Sequence, residues 1–476
     1  MIMHRDQDPK GGFRIKDVKY EVSKKALVSR AGLHGLLKIF DTTDLGKEFA
    51  KCLPEDGSNR AYGSYQLGLL WIACLLSGFD SIDDVEEFDD DDLILELFDG
   101  KLPTAKTMGN FLRRFSRENI LSFNRFITKM GYTLREHSKK VHPHKGEAIP
   151  HFKIDGTTHE QHGTQMEGCG WIKMSDDKSI YGYASQTVFD EMGFCYAGEL
   201  LEAAHPKGDA SALIDQVLSP LRGKKIQNPF EKVADVSGDS AYLTQGVILT
   251  TQRHHATFTI AAPKTINWHN HLEHLDWTAW QYSDEQIKKL KRKRMTPQEC
   301  LLARWHWSPG WSKETLKFPV IIKKEWRPDE VMGEACGSYH YHAVATNRDL
   351  TKQSYQSVIE AYRPRAEMEN QIKEFKINFD AKHMPCLKKD ANEVYLLLVL
   401  VSQNLIRWAA ILDKPDKPHY AKKIRRKLIN APATILTGSR QFVLRVKQKF
   451  LKEVQAFQER WRSHSVTLPP LAFSSA

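Results

Sequence analysis

The chain has 476 residues, 41% of them hydrophobic, and carries 69 Lys and Arg against 59 Asp and Glu, a net charge of +10. That length predicts about two to four domains around a sizeable core, and the basic balance favours a polyanionic partner, nucleic acid first. Seven cysteines without a Cys-x-x-Cys pair exclude a disulfide framework and match the reduced thiols of a cytoplasmic protein.

The first thirty residues are charged throughout and lack the apolar core of a signal peptide. Leu33 to Phe40 and Tyr65 to Leu76 have the length and leucine content of helices, the second with Gly68 as a close-packing point. Asp83 to Asp92 holds eight acidic residues in ten, which reads as a solvated face. Thr104 then caps a helix in which Met108, Phe111, Leu112 and Phe115 repeat at three and four residues, leaving Arg113, Arg114 and Arg117 outward. A DNA-binding unit and a basic helix of a structural bundle both look like this. A second helix over Ile120 to Glu136 leads to a turn-rich linker ending at Pro150, so residues 1–150 form a helical N-terminal region assigned to DNA binding.

From His151 the pattern becomes strand, strand, strand, helix, strand: His151 to Ile154, Ser185 to Phe189, Phe194 to Glu202, helix Ala210 to Leu221, then Val233 to Val236. This predicts an α/β fold with a mixed sheet. Residues 246–338 read as a β-rich insertion, with runs at Thr257 to Ala261, Leu301 to Trp307 and Lys317 to Lys323. Within it, alternation of Trp305 and Trp307 favours one buried sheet face, though tryptophans can also stack on unpaired bases. Tyr339 to Thr346 is a further strand, and Val394 to Leu412, interrupted by Ser402, Gln403, Asn404 and Arg407, reads as a buried helix rather than a membrane span. The tail, residues 413–476, is basic, with helices over Tyr420 to Leu428 and Ser439 to Trp461; an excess of 14 cations over 3 acids from Lys414 to Arg462 points to DNA contact.

The stretch Tyr362 to Lys376 carries the chemistry. On one helix beginning near Arg363, and counting from Glu369, Tyr362 lies at about +20°, Arg365 at about −40° and Lys376 at about −20°. Met368, Ile372, Phe375 and Phe379 form a separate apolar stripe for docking on a sheet. One carboxylate between cations suits phosphate and metal. Asp155, in Lys-Ile-Asp-Gly-Thr-Thr, and Asp239, in Gly-Asp-Ser-Ala-Tyr, each close a short apolar strand, where a hard cation can be reached. Asp235, four residues before Asp239, competes for the second position. Three carboxylates from separate segments can hold two divalent ions for phosphoryl transfer.

The spacing Tyr362-x2-Arg365-x3-Glu369-x6-Lys376 resembles, without a gap, the YREK signature of the IS4-type DDE transposases of bacterial insertion sequences. Ile-Asp-Gly-Thr-Thr is similar to that family's first-Asp strand and Gly-Asp-Ser-Ala-Tyr to its second, and the 130 residues from Asp239 to Glu369 accommodate the β-rich insertion of the group. The stretch from Leu102 to Phe115 further resembles the IS1380 branch. The resemblance implies an RNase H-like catalytic domain in two parts, residues 151–245 and 339–412, with Asp155, Asp239 and Glu369 as ligands of Mg²⁺, for which Mn²⁺ substitutes. It further implies a homodimer acting on double-stranded DNA at terminal repeats and at a target, in the cytoplasm and with no membrane role. Cleavage by water attack, joining of the freed 3′-hydroxyls and, commonly in relatives, a DNA hairpin would follow. Tyr362, Arg365 and Lys376 would bind phosphates beside the scissile bond, and Tyr339, Tyr341 or His342 would support a flipped base. A hydrolytic nuclease, a domesticated DNA-binding protein and a glycosidase are the rival classes; the cations beside Glu369 speak against the last. His269, His271 and His274 read as a surface cluster rather than a zinc site, and His159 and His162 as loop residues.

Overall fold

The computed structural model describes residues 27–57, 62–144, 146–174, 178–206, 209–221, 232–293, 296–329, 333–363, 366–438 and 441–467. After the short β1 (Leu27–Val28), leucines and phenylalanines at helical spacing build α1 (Leu33–Thr42), α2 (Asp44–Ala50) and α3 (Ser64–Ser77). Gly68 lets α3 press on α2, for a Cβ there would stand 2.9 Å from the Phe49 ring. The acidic run is a 3-10 helix, Asp83–Asp90, that buries only Val85 and Phe88 and turns its carboxylates to solvent. It leads into α4 (Asp92–Glu96), α5 (Ala105–Leu112), capped by Thr104 as its sequence predicts, and α6 (Arg117–Val141), longer at both ends than the periodicity indicates.

Alternating and β-branched residues then give β2 (His151–Glu160), β3 (Gly170–Lys173), β4 (Ser179–Phe189) and β5 (Cys195–Leu201), with β4 antiparallel to each of the other three. The helix α7 (Ser211–Leu218) separates them from β6 (Asp235–Gly238), which pairs parallel to β2. After α8 (Gln245–Arg253), β7 (Thr257–Ala261) pairs parallel to β6. The segment read as the start of an insertion is therefore continuous with the main sheet. Beyond it come β8 (Thr278–Ala279), α9 (Asp284–Arg292), β9 (Cys300–Trp307), β10 (Phe318–Asp329) and β11 (Gly333–Thr346). Because β11 pairs with β7 as well as β10, these strands extend the sheet, in the order β3-β4-β2-β6-β7-β11-β10-β9-β8 with β5 beside β4. Trp305 and Trp307 share one half-buried face.

The helix expected to begin near Arg363 is not one helix with its upstream turn. Tyr362 ends α10 (Tyr355–Tyr362), and Glu369 and Lys376 belong to α11 (Ala366–Asn378). Pro364 and Arg365, between the two helices, lie outside the described residues. The angular position of Tyr362 relative to Glu369 consequently does not carry over. The long apolar helix α12 (Lys389–Asp413) is buried against α6, β5 and α3, long and apolar enough to cross a bilayer yet 94% buried over its most apolar window. A second correction concerns the tail. After α13 (Ala421–Ile424) and one π-type turn, a hairpin of β12 (Ala433–Gly438) and β13 (Gln441–Arg445) replaces the first part of the helix expected from Ser439, and only α14 (Gln448–Arg462) remains of it. Pairing of β12 with β1 makes a small three-stranded sheet from the two ends of the described chain.

Candidate active site

Parallel pairing fixes the first two carboxylates. His151 opposes Asp235, Lys153 opposes Ser237 and Ile154 opposes Gly238, so the next step in register sets Asp155 beside Asp239, on strands about 5 Å apart. Alternation also fixes the face. Phe152 packs into the core against Tyr132 of α6 and Tyr196 of β5, so Lys153, Asp155, Thr157 and His159 face the other way. That other face is covered by α11: the Phe375 ring stacks on His159 and on Phe189, at 6.4 and 6.5 Å between centroids.

Each aspartate accepts a hydrogen bond from a nearby backbone amide, Asp155 within β2 and Asp239 at a turn after β6. Asp155 Oδ1 accepts from the Gly156 amide at 2.9 Å, and Asp239 Oδ1 caps a 3-10 turn by accepting from the Ala241 amide at 2.9 Å. Asp235 is differently placed, buried at the opposite end of β6 and paired with Arg348 Nη2 at 2.8 Å. Desolvation raises its pKa and Arg348 holds it down.

Glu369 is exposed on α11, and the predicted apolar stripe of Met368, Ile372, Phe375 and Phe379 is buried beneath that helix. Lys376, two turns further on, donates to the Thr158 carbonyl at 2.7 Å and the Thr157 hydroxyl at 3.3 Å. Burial lowers its pKa. Gln371 lies against Gly193, beyond the start of β2, so α11 runs in the same direction as β2. Seven residues of helix separate Glu369 from Lys376 by about 10 Å, and the two or three strand residues from Asp155 to the threonines cover about 8 Å. Among the described residues no three His, Cys, Asp or Glu side chains are gathered closely enough to hold a metal. The donor set itself is of the hard oxygen type that Mg²⁺ and Mn²⁺ take. The two aspartates follow Ile154 and Gly238, the last paired residues of β2 and β6, and Glu369 is exposed on the helix that covers this side of the sheet.

Of the remaining predicted residues, Arg365 lies outside the described residues. Tyr362 is buried and packs on His342 at 5.2 Å, next to a cavity of about 440 Å³ lined by Lys323, Arg327, His340, His342 and Arg363. Arg363, which the sequence reading did not single out, stands 4.6 Å above the Trp280 ring. The three arginines assigned to DNA separate. Arg114 is spent inside the molecule, donating to Ser64 Oγ at 2.7 Å and the Glu55 carbonyl at 3.0 Å. Arg117 pairs with the buried Glu393 at 2.7 Å, and Arg113 is exposed with Asn110 as its partner. Arg114 and Arg117 thus bond to distant parts of the fold, Arg117 sharing Glu393 with Lys389.

His159 is a strand residue and not a loop residue. Its Nδ1 meets the Ala381 carbonyl and its Nε2 the Ser185 hydroxyl at 2.7 Å, and burial lowers its pKa to about 4. The neutral ring therefore ties β2 and β4 to the segment after α11. Thr157 and Thr158 were also passed over; the signal was available, since Thr157 is two residues from Asp155 and must share its face. The His269, His271 and His274 side chains are exposed, His271 stacking on Trp305 at 5.1 Å.

A family model described as "Transposase DDE domain group 1" matches residues 12–458. Among curated proteins none matches the chain.

Proposed function

Because the chain belongs to the DDE transposase family, enzymes that cut and transfer DNA, we propose that it excises an insertion sequence of the IS4 type, IS1380 branch, and joins its 3′-hydroxyls to target DNA. Asp155, Asp239 and Glu369 are the catalytic carboxylates in this reading, on an RNase H-like sheet. What supports it is the parallel pairing of β2 with β6, whose last paired residues, Ile154 and Gly238, immediately precede Asp155 and Asp239. Mg²⁺, or Mn²⁺ in its place, when held by these oxygens would lower the pKa of an attacking water or hydroxyl and neutralise charge on the departing oxygen.

The chain's own residues do the rest. Lys376, anchored on Thr157 and Thr158, places a cation two strand residues from Asp155, where a scissile phosphate would lie against the carboxylates. Arg365 and Tyr362 belong to the phosphate-binding set by signature. The cavity beside Tyr362, rich in imidazole and cations, is suited to a base turned out of the duplex if the ends pass through a hairpin, with His342 the aromatic that reaches it. Work on two ends requires two copies of the chain, so a homodimer is expected.

Glu369→Gln tests the assignment. It keeps the size of an exposed side chain and removes a charged oxygen ligand, so cleavage of end DNA in Mg²⁺ should vanish while gel-shift binding of the ends persists. Cleavage at the wild-type rate would remove Glu369 from the site. Incubating precleaved ends with plasmid separates a transposase from a nuclease, which would give no joined product.

A further inference from the structure

The face of the sheet that carries Asp155 does not end at the carboxylates. Lys153, on the same side of β2 as Asp155, opposes Ser237 of β6, and Ser237 opposes Thr259 of β7; two residues on, Ala261 opposes Val344 of β11, which opposes Ile321 of β10. Val344 and Ile321 share an apolar cluster with Leu302 of β9, Trp280 and Ile359 of α10, so α10 covers the same side of the sheet as α11. The helix α9 is moored beside α10 by its first turn. Gln286 Oε1 accepts from the Ser283 amide at 3.1 Å and from the Trp280 indole at 3.5 Å, and Gln286 Nε2 donates to Glu360 of α10 at 3.3 Å. Beyond that turn α9 is turned to solvent, with only Ile287 and Leu290 half-buried. Five of the six residues from Lys288 to Lys293 are Lys or Arg, and all five are exposed. Two pairs of like charge four residues apart, Lys288 with Arg292 and Lys289 with Lys293, oppose the helix, and the helix dipole offsets only about half a charge. Among the described residues none of the five reaches a carboxylate within ion-pair distance, although Asp284 and Glu285 stand four residues before Lys288 and Lys289. On α1 and α2, by contrast, Lys38, Lys47 and Lys51 are each paired with an acid three residues away.

We propose that α9 grips the phosphate backbone of duplex DNA lying across this side of the sheet, about seven base pairs from the bond held at the carboxylates. Five strand spacings separate β2 from β9, roughly 24 Å, against a duplex rise of about 3.4 Å per base pair. Lys288 and Arg292 stand one helical turn apart on the outer surface, with Lys291 and Lys289 to either side. A row of unpaired cations suits phosphates, whatever the sequence between them, and offers nothing to read a base edge. Phosphates would also relieve the like-charge pairs that the fold leaves uncompensated. The distance of seven base pairs rests on the reading of Asp155, Asp239 and Glu369 as the cutting site. The contact itself does not, because it is measured without metal or cleavage.

The test is fluorescence anisotropy of a labelled duplex carrying the element end, titrated with the full chain in EDTA over a range of salt, alongside melting, sedimentation and hydroxyl-radical footprinting. Lys288→Gln, Lys289→Gln and Arg292→Gln together should lower the slope of log affinity against log salt by about two to three phosphates and weaken binding at least about tenfold. Exchanging the cations instead, Lys288→Arg, Lys289→Arg and Arg292→Lys, should keep both. Removing the same charge from the paired lysines, with Lys38→Gln, Lys47→Gln and Lys51→Gln, should leave the slope unchanged. The footprint of the α9 variant should lose one patch of protection, about seven base pairs from the position that the wild type cuts in Mg²⁺. If the triple change lowers the melting temperature, Lys288→Gln and Arg292→Gln singly, each expected to reduce the slope by about one phosphate, decide the matter. An unchanged slope in the α9 variants, an equal drop in the control triple, or lost protection only beside the cut would each overturn the proposal. So would a shift from dimer to monomer with the slope intact, which would assign the helix to an acidic surface of a second copy. Should the wild type cut no DNA, the catalytic reading fails while the slope still decides the contact.

Discussion

At Lys376 the ammonium is held by a backbone carbonyl and a threonine hydroxyl, so its position is set before any phosphate arrives. Lys376→Ala should weaken binding of end DNA and lower the slope of log affinity against log salt by about one phosphate contact. The two aspartates of the second motif separate in the same experimental series. Asp239→Asn should abolish cleavage with little change in melting, whereas Asp235→Asn leaves Arg348 without its buried partner and should lower stability by about 3 kcal/mol. His151 and His159 give a pH signature. Both have pKa values pushed down to about 4 in the folded chain, chiefly by burial, against 6.5 when unfolded. The unfolded chain therefore binds more protons between those values; stability is complete above pH 6.5 and falls as pH drops towards 4, by a few kcal/mol for each histidine. His159→Gln should flatten that slope in melting curves taken from pH 7 to 4. The spacing from Tyr362 to Lys376 marked Glu369 and Lys376 as candidates, and strand-end positions followed by small residues marked Asp155 and Asp239. Arg114 and Arg117 bond within the fold, which their outward helical phase could not foretell, because the Ser64 hydroxyl and Glu393 come from distant segments.

Helices and strands were legible wherever periodicity ran long: α3, α5, α6 and α12 follow their apolar spacing, and β2, β4 and β10 their β-branched residues. The tail hairpin was not, although Thr434, Ile435, Thr437 and Val443 are β-branched residues on either side of Gly438, because its cations drew attention to charge instead of strand alternation. One contact between elements dominates the docking of α6. Arg135, 2% exposed, pairs with Asp190 at 3.0 Å and Glu191 at 2.6 Å in the turn between β4 and β5. Removing it strands two carboxylates in the interior, so Arg135→Ala should cost about 3 to 5 kcal/mol in denaturant unfolding. A loss under 1 kcal/mol in that measurement would show that water replaces the guanidinium.

Over the whole molecule the two described ends close on each other and on the α11 region. Arg425 donates to the Leu75 and Leu76 carbonyls at the end of α3 and stacks on Phe379 at 4.7 Å, while Glu374 of α11 accepts from the Ala421 amide. Domain-level division was the least legible scale, since burial of one helix by another depends on partners hundreds of residues apart. The depth of α12 has a consequence for synthesis. It fills the space between α6, β5 and α3, all of which precede it in the chain. A ribosome that has delivered residues 1–388 has therefore produced a complete catalytic sheet with its central apolar slot still open, and hydrophobic surface left open in this way invites self-association. The enzyme matures only when one late, greasy helix drops into place, which makes the interval before residue 413 emerges the stage at which a chaperone has most to protect.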